Sequence, residues 1–274
     1  MKIAVLGPEG TFSEVASENY LKINSLEGEL IYFSSIEESV KALRYPSIDL
    51  AIVPLENLLD GYVQLTLDLL LEEKVRIVDD INVPIHFDLL GNVDKKEDIK
   101  KIYVQFKAEN QCRKIIREIG ANVISTTSNM LSYKHLENKI YGEASIVPSH
   151  IDDSSIPFVL HDVANSKENY TRFIILKRDE QENIIVDKLD KKHLKISIFV
   201  LPKDDRPGLL FDILKVFKDY SLNLTSIMSR PTKKELGKYN FYIEFESNSS
   251  NIDTIYKALD VLRKNNQIKI LGIY

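Results

Sequence analysis

The stretch NYTRFIIL, residues 169–176, sets a hydroxyl (Thr171) beside a guanidinium (Arg172) at the start of an apolar strand. Strand neighbours project to opposite faces, so Thr171 shares a face with Phe173 and Ile175, and Arg172 points away from it. With Thr171 in a cleft, Arg172 serves as an ion-pair anchor for the strand. Taken alone, the segment is a ligand site or a solvated strand end. A second polar pair, Glu56 and Asn57 of VPLENLLDG, emerges where a strand ends. Open α/β sheets take their ligands at the carboxyl ends of strands, although turn formation alone explains Asn57 and Gly61 as well. NVISTTSNM repeats this geometry with Ser125, Thr126 and Thr127, each also suited to an N-cap. In LGPEGTFSEVA, Thr11 and Glu14 have capping-box spacing, at a helix start whose free amides and dipole suit an anion. A nucleotide loop is disfavoured there: the glycines do not form GxGxxG, Pro8 lacks a donor and Glu9 repels phosphate.

These residues offer hydroxyls, amides and a helix cap. They suit binding an anion and donating hydrogen bonds, whereas an activated nucleophile needs a base that the spacing does not supply. The histidines (86, 135, 150, 161 and 193) show no ligand spacing, and Cys112 is the only cysteine. No metal site and no disulfide framework are expected, and Cys112 reads as a core residue of a helix. The net charge is −5 with acids and bases interleaved, which argues against nucleic acid as a partner. The apolar run in MKIAVLGPEG is too short for a signal sequence, and no stretch approaches the ~18 apolar residues of a membrane span. The expectation is a cytoplasmic protein with no membrane partner.

The elements that must hold these residues alternate from the start. Strand-like KIAVL, LIYF and DLAIVP trade places with helix-like TFSEVASENYL, SIEESVKAL and YVQLTLDLLLEE. This pattern predicts βαβ units and a parallel sheet. VRIVDDINVPIHFDLL runs on as extended chain, a second alternating set follows, and FVLHDV leads back to TRFIILK. Two α/β lobes joined by crossings near 75–85 and 160–172 would enclose a hinged cleft, the second lobe spanning about 80–160 of a 1–180 domain. KRDEQENIIVDKLDKK, residues 177–192, reads as a charged linker. Residues 194–274 then spell βαββαβ, a compact ferredoxin-like unit.

The ordered set GPEGTFSEVA, VPLEN with DGYV, VPIHFDL, NYTRF, RPGLL and NLTSIMSRP resembles the prephenate dehydratase family across nearly the whole chain. The resemblance implies a two-lobed, periplasmic-binding-protein-like (type II) catalytic domain followed by an ACT regulatory domain. The implied reaction is the decarboxylating dehydration of prephenate to phenylpyruvate, a carbon–oxygen lyase step of phenylalanine biosynthesis. It implies no metal or organic cofactor, phenylalanine as feedback inhibitor, and a homodimer or homotetramer. By the same resemblance Thr171 is the catalytic donor to the departing hydroxyl. Thr11, Glu56, Asn57, Gln111, Ser125 and Thr126 contact substrate, and Arg172 and Phe173 support the motif at that site. Phenylalanine would bind the ACT unit through Pro207, Gly208, Leu209 and Leu210, Asn223 and Leu224, and Ser229, Arg230 and Pro231.

Two departures bear on these expectations. Where the family carries Ser-His-Pro-Gln ahead of its Gln-Cys, this chain has Val104, Gln105, Phe106 and Lys107, with Gln111 and Cys112 kept. Met228 stands where the family's Glu-Ser-Arg-Pro motif has its glutamate, and a thioether is a poor hydrogen-bond acceptor. Two other readings are arogenate dehydratase and a non-catalytic amino-acid sensor that kept the binding fold.

Overall fold

A computed structural model describes residues 1–179 and 193–274. The first lobe is built from β1 (Lys2–Leu6), α1 (Phe12–Ile23), β2 (Glu29–Phe33), α2 (Ile36–Lys41), β3 (Leu50–Asn57), β4 (Gly61–Tyr62), α3 (Gln64–Glu72) and β5 (Val75–Pro84). The second contains β6 (Phe87–Gly91), β7 (Lys101–Gln105), α4 (Phe106–Gln111), α5 (Arg113–Ile119), β8 (Asn122–Thr126), α6 (Asn129–Leu136), β9 (Glu143–Pro148) and β10 (Phe158–Leu160). The chain then returns to the first lobe as β11 (Tyr170–Arg178), giving sheet orders β2-β1-β3-β11-β5 and β10-β6-β9-β7-β8.

The expected parallel sheets are mixed. β1 runs parallel to β2 and β3, as βαβ units require, but β11 is antiparallel to both of its neighbours, β3 and β5. It arrives from the other lobe and enters from the opposite end, so it slots between them reversed. β6 brings the same reversal to the second sheet, antiparallel to both of its neighbours, β9 and β10.

The third unit follows the βαββαβ pattern: β12 (Leu194–Pro202), α7 (Leu209–Asp219), β13 (Asn223–Pro231), β14 (Tyr239–Ser247), α8 (Ile252–Asn265) and β15 (Asn266–Ile273), with sheet order β13-β14-β12-β15. The two faces of this sheet have different partners. Ile196, Ile198 and Val200 of β12 pack with Ile213, Phe217, Ile255, Leu259 and Leu262 of the two helices. The alternate residues Phe199, Tyr242, Leu271 and Tyr274 share a core with Val53, Leu55, Leu70, Ile77 and Ile174 of the first lobe. Gly272 permits this approach, since a Cβ there would stand 2.4 Å from the Ile77 carbonyl oxygen. The charged stretch expected as a linker over 177–192 begins inside β11, whose last residues are Lys177 and Arg178; residues 180–192 lie outside the described residues.

Candidate active site

β11 and β3 meet in the register Thr171 opposite Asn57 and Arg172 opposite Glu56, which sorts the four residues onto two faces. On one face the Asn57 amide nitrogen lies 2.9 Å from Thr171 Oγ1 and 2.9 Å from Asn169 Oδ1. Asn57 Oδ1 accepts the backbone N–H groups of Leu59 and Asp60, each at 3.0 Å. Those two donors require oxygen on that side, so the nitrogen must face Thr171. The donors then run in one direction. Asn169 Nδ2 donates to Gln111 Oε1 at 2.9 Å, and Gln111 Nε2 donates to Asp60 Oδ2 at 3.1 Å. This chain ties the first lobe (Asn57, Asp60) and the returning strand (Asn169, Thr171) to Gln111 of the second lobe.

Thr171 Oγ1 already accepts from Asn57, and a hydroxyl has one proton to give. Among the described residues Thr171 makes no hydrogen bond as a donor. The site therefore presents a proton donor whose lone pair is held from behind, on a residue only 9% exposed. Among the described residues no imidazole or carboxylate bonds to that hydroxyl, so the arrangement supports hydrogen-bond donation and not activation of a nucleophile.

Glu56 and Arg172, both expected to serve the substrate site, occupy the opposite face. Arg172 donates to Glu244 of β14 at 2.6 Å and lies 3.4 Å from Glu56 and 3.7 Å from Asp80. Tyr62, opposite Glu56, donates to the same Glu244 at 3.0 Å. Burial pushes the Glu244 carboxyl up, but the Arg172 charge and hydrogen bonds from Arg172 and Ser197 outweigh it and hold the carboxyl below its ordinary value. Phe173 is on the Thr171 side, where it is buried in the core beneath α1 and does not line an open surface.

The other expected residues are not joined to the Asn57–Thr171 network. Thr11 caps α1, donating to the Leu6 carbonyl at 3.0 Å and accepting from the Glu14 N–H at 3.4 Å. The Glu14 carboxylate reaches back to the Gly10 N–H, and not to the N-cap amide of a regular capping box. Thr126 is buried, bonded to the Ser128 carbonyl at 3.0 Å and Ser132 Oγ at 2.7 Å, while Ser125 is exposed. The lobes also meet where His150 Nε2 lies 3.0 Å from the Gly10 carbonyl and where the rings of Phe12 and Phe87 pack edge to face. At the Ser-His-Pro-Gln departure, Val104 is core, Lys107 is exposed and Gln105 caps α4 through the N–H groups of Lys107 and Ala108. Cys112 is fully buried, which pushes its thiol up to about 12.

Three participants were not among the sequence candidates. Asn169 has a signal, since it lies two residues before Thr171 and shares its face. Asp60 lies in the DGYV stretch of the resemblance, which marks the segment but not the side chain's role, and Glu244 has no signal, being brought in by a separate unit. Among the described residues, Asp88, Asp153 and His161 form a group that could hold a metal ion. Both Asp88 oxygens are already engaged, by Ser149, the Asp162 N–H and His161.

Comparison with known proteins gives this geometry its context. Residues 3–181 match the family model for prephenate dehydratase, and residues 197–263 match that of the ACT domain. The chain belongs to the prephenate dehydratase family. It is 33% identical over 270 residues to the prephenate dehydratase of Methanocaldococcus jannaschii, covering 97% of this chain and 95% of that one. It is 30% identical to the Bacillus subtilis enzyme, covering 100% and 98%. A solved prephenate dehydratase from Arthrobacter aurescens, in complex with L-Phe, superposes with a TM-score of 0.83 at 28% identity, covering 100% of this chain and 90% of that one. The fold is thus the two-lobed, periplasmic-binding-protein-like catalytic domain with a C-terminal ACT domain.

Within this prephenate dehydratase fold, the residues expected to hold an effector fall into two groups. Pro207, Gly208 and Leu209 form the start of α7, with Gly208 at φ 81° as its N-cap. Asn223, Ser229 and Pro231 are exposed on β13, and Gly208 and Leu210 are exposed at the start of α7, whereas Leu209 and Leu224 pack against the ACT core. Arg230 is turned to the catalytic unit, donating to Asp68 of α3 at 2.6 Å. Met228 faces the same way and packs on the shared core.

Proposed function

We propose that this chain is a prephenate hydro-lyase in which Thr171 donates the hydrogen bond that lets the ring hydroxyl leave. Prephenate carries two carboxylates and a hydroxyl on a non-aromatic ring. The bond from the ring to its carboxylate breaks, and the electron pair enters the ring. The carbon–oxygen bond opposite then breaks, and hydroxide departs as water once protonated. Carbon dioxide supplies the electrons, so no general base is required.

The observation that carries this reading is the Asn57-to-Thr171 hydrogen bond of 2.9 Å. Because Asn57 occupies a lone pair of Thr171, the hydroxyl proton is aimed outward, toward whatever oxygen is presented to it. One such preorganised donor is worth about 3–4 kcal/mol to a transition state that develops oxyanion character. Asn57 and Gln111 act with Thr171 as parts of one chain of donors. Thr11, which caps α1, and Thr126, bonded to Ser128 and Ser132 at the start of α6, contribute through the adjoining backbone amides.

Phenylalanine is the effector, bound on the ACT unit near Gly208 and Asn223, as supported by the L-Phe complex of the Arthrobacter relative. The chain acts as a homodimer or homotetramer. Phe211, 68% exposed, and Ile227, 39% exposed, lie by the α7 start and on the edge strand β13 and give that contact apolar surface. No helix among the described residues is long and apolar enough to cross a membrane.

The test is phenylpyruvate formation by the purified chain from prephenate, beside phenylalanine formation from arogenate, each with and without added phenylalanine. Turnover of prephenate that phenylalanine suppresses is the expected result. Preference for arogenate would reassign the substrate, and a folded chain that binds phenylalanine without turnover would make it a sensor.

A further inference from the structure

Glu244 stands behind the Asn57–Thr171 pair, on the ACT side of the catalytic sheet. Its Oε2 accepts from Arg172 at 2.6 Å and from the Tyr62 hydroxyl at 3.0 Å. Arg172 is the covalent neighbour of Thr171. Tyr62 lies on β4 and closes the hairpin that carries Asn57 and Asp60. A single carboxylate of the regulatory unit therefore grips β11, which carries Thr171, and β4, the hairpin partner of the strand that carries Asn57.

The carboxylate is equally well fixed at its own end. Its Oε1 accepts from Ser197 at 2.9 Å and lies 3.4 Å from the Tyr274 hydroxyl. On β14 it is directly opposed to Ser226 of β13, the strand that begins at Asn223. Among the described residues Arg172 has no equal substitute for it. Asp80 is 3.7 Å away and already bonded to Lys195 at 2.6 Å, and Glu56 is 3.4 Å away with its side chain 37% exposed.

We propose that Glu244 is a positioning residue for the reaction: through Arg172 and Tyr62 it sets the spacing of Asn57 and Thr171, and the effector state of the ACT sheet reaches the site through it. The inference rests on the substrate and effector reading given above. Its physical basis is the cost of a broken buried pair. If β14 shifts, Arg172 must follow or be left as a buried charge without its closest partner, which is strongly disfavoured. The backbone of β11 then moves at the residue adjoining Thr171. Displacements of about an ångström at a reacting group cost as much as 10²-fold in rate.

The experiment uses the full chain with E244Q and Y62F. E244Q should lower kcat by about ten- to a hundredfold. KM for prephenate should stay within about threefold, because substrate-binding groups are untouched. Calorimetry should show phenylalanine bound with the parent's affinity, while phenylalanine no longer changes the rate. Y62F should move kcat and inhibition in the same direction by less. Hydrogen exchange at the β11 amides should respond to phenylalanine in the parent and not in E244Q. Parent-like kcat and parent-like inhibition in E244Q would overturn the proposal. Should E244Q fail to fold, parent-like values for Y62F in both would do the same. A parent chain that does not turn over prephenate would remove the substrate reading alone, and the exchange response would still decide whether Glu244 couples the two units.

Discussion

Asn57 and Thr171, 114 residues apart in the chain, meet as a directly opposed cross-strand pair with nitrogen 2.9 Å from hydroxyl oxygen. The direction of that bond is set by two backbone amides on the far side of the same side chain. It makes the Thr171 hydroxyl a donor to substrate, and this can be tested one atom at a time.

Thr171→Val keeps the shape and removes the donor, so kcat should fall by about 10²–10³-fold. Thr171→Ser keeps the donor and should stay within about tenfold of the parent, the loss coming from a freer rotamer. A valine variant with near-parent turnover of prephenate, followed as phenylpyruvate, would remove Thr171 from the chemistry.

Asn57→Asp leaves the oxygen that accepts from Leu59 and Asp60, so the turn should persist. It replaces the donor to Thr171 by an acceptor, to which the hydroxyl would then turn its proton. Turnover should drop by about 10²-fold with the unfolding midpoint little changed. A large loss of stability with retained kcat would make Asn57 a structural residue.

Gln111 joins the lobes, accepting from Asn169 and donating to Asp60. Gln111→Glu would set a carboxylate against the Asp60 carboxylate across that contact. Repulsion opposes closure, so KM for prephenate should rise by about tenfold, with a smaller change in kcat. Steady-state kinetics on prephenate separate the two, and an unchanged KM would mean that closure does not use this bond.

Gly272→Ala should destabilise the protein by about 1–3 kcal/mol, because its new Cβ meets the Ile77 carbonyl and the backbones must separate. Urea unfolding measures this. A smaller loss would mean that the seam between the catalytic and ACT units yields readily.

The His161 imidazole is held above the ordinary histidine value of 6.5 by its hydrogen bond to, and the charge of, Asp88. A raised folded pKa adds stability that is fully present below the unfolded value and is lost as pH rises through the folded one. His161→Gln should therefore destabilise the chain more at pH ~5.5 than at pH ~8.5. Equal losses at both pH values would show that the ion pair does not contribute.

Much of the architecture was legible in the sequence because it rests on local periodicity. The βαββαβ order of the ACT unit follows from the succession of strand-period and helix-period segments, and the opposed faces of Thr171 and Arg172 follow from alternation along one strand. The reversed direction of β11 did not, since strand pairing is a relation between distant segments. Glu56 shows the limit most clearly. Alternation separates Glu56 from Asn57, but which of them joins Thr171 depends on the register, and the register sets Glu56 beside Arg172. Arg230 reads as an effector residue in its motif and is held by Asp68, because β13 turns alternate side chains to the catalytic unit. Glu244 looks like one more strand carboxylate until the face it occupies is seen to be covered.

The position of β11 has a consequence for how the chain comes off the ribosome. All strands of the second lobe lie within residues 87–160, so that lobe is complete as a continuous stretch of nascent polypeptide. The first lobe must wait. Its sheet has β11 between β3 and β5, and β11 is synthesised after the whole second lobe. Until then two strand edges in the first lobe lack their partner, and exposed edges invite pairing with other chains. The contact that makes the site, between Asn57 and Thr171, is thus among the last within the catalytic domain that translation allows to form, ahead only of those with the ACT unit.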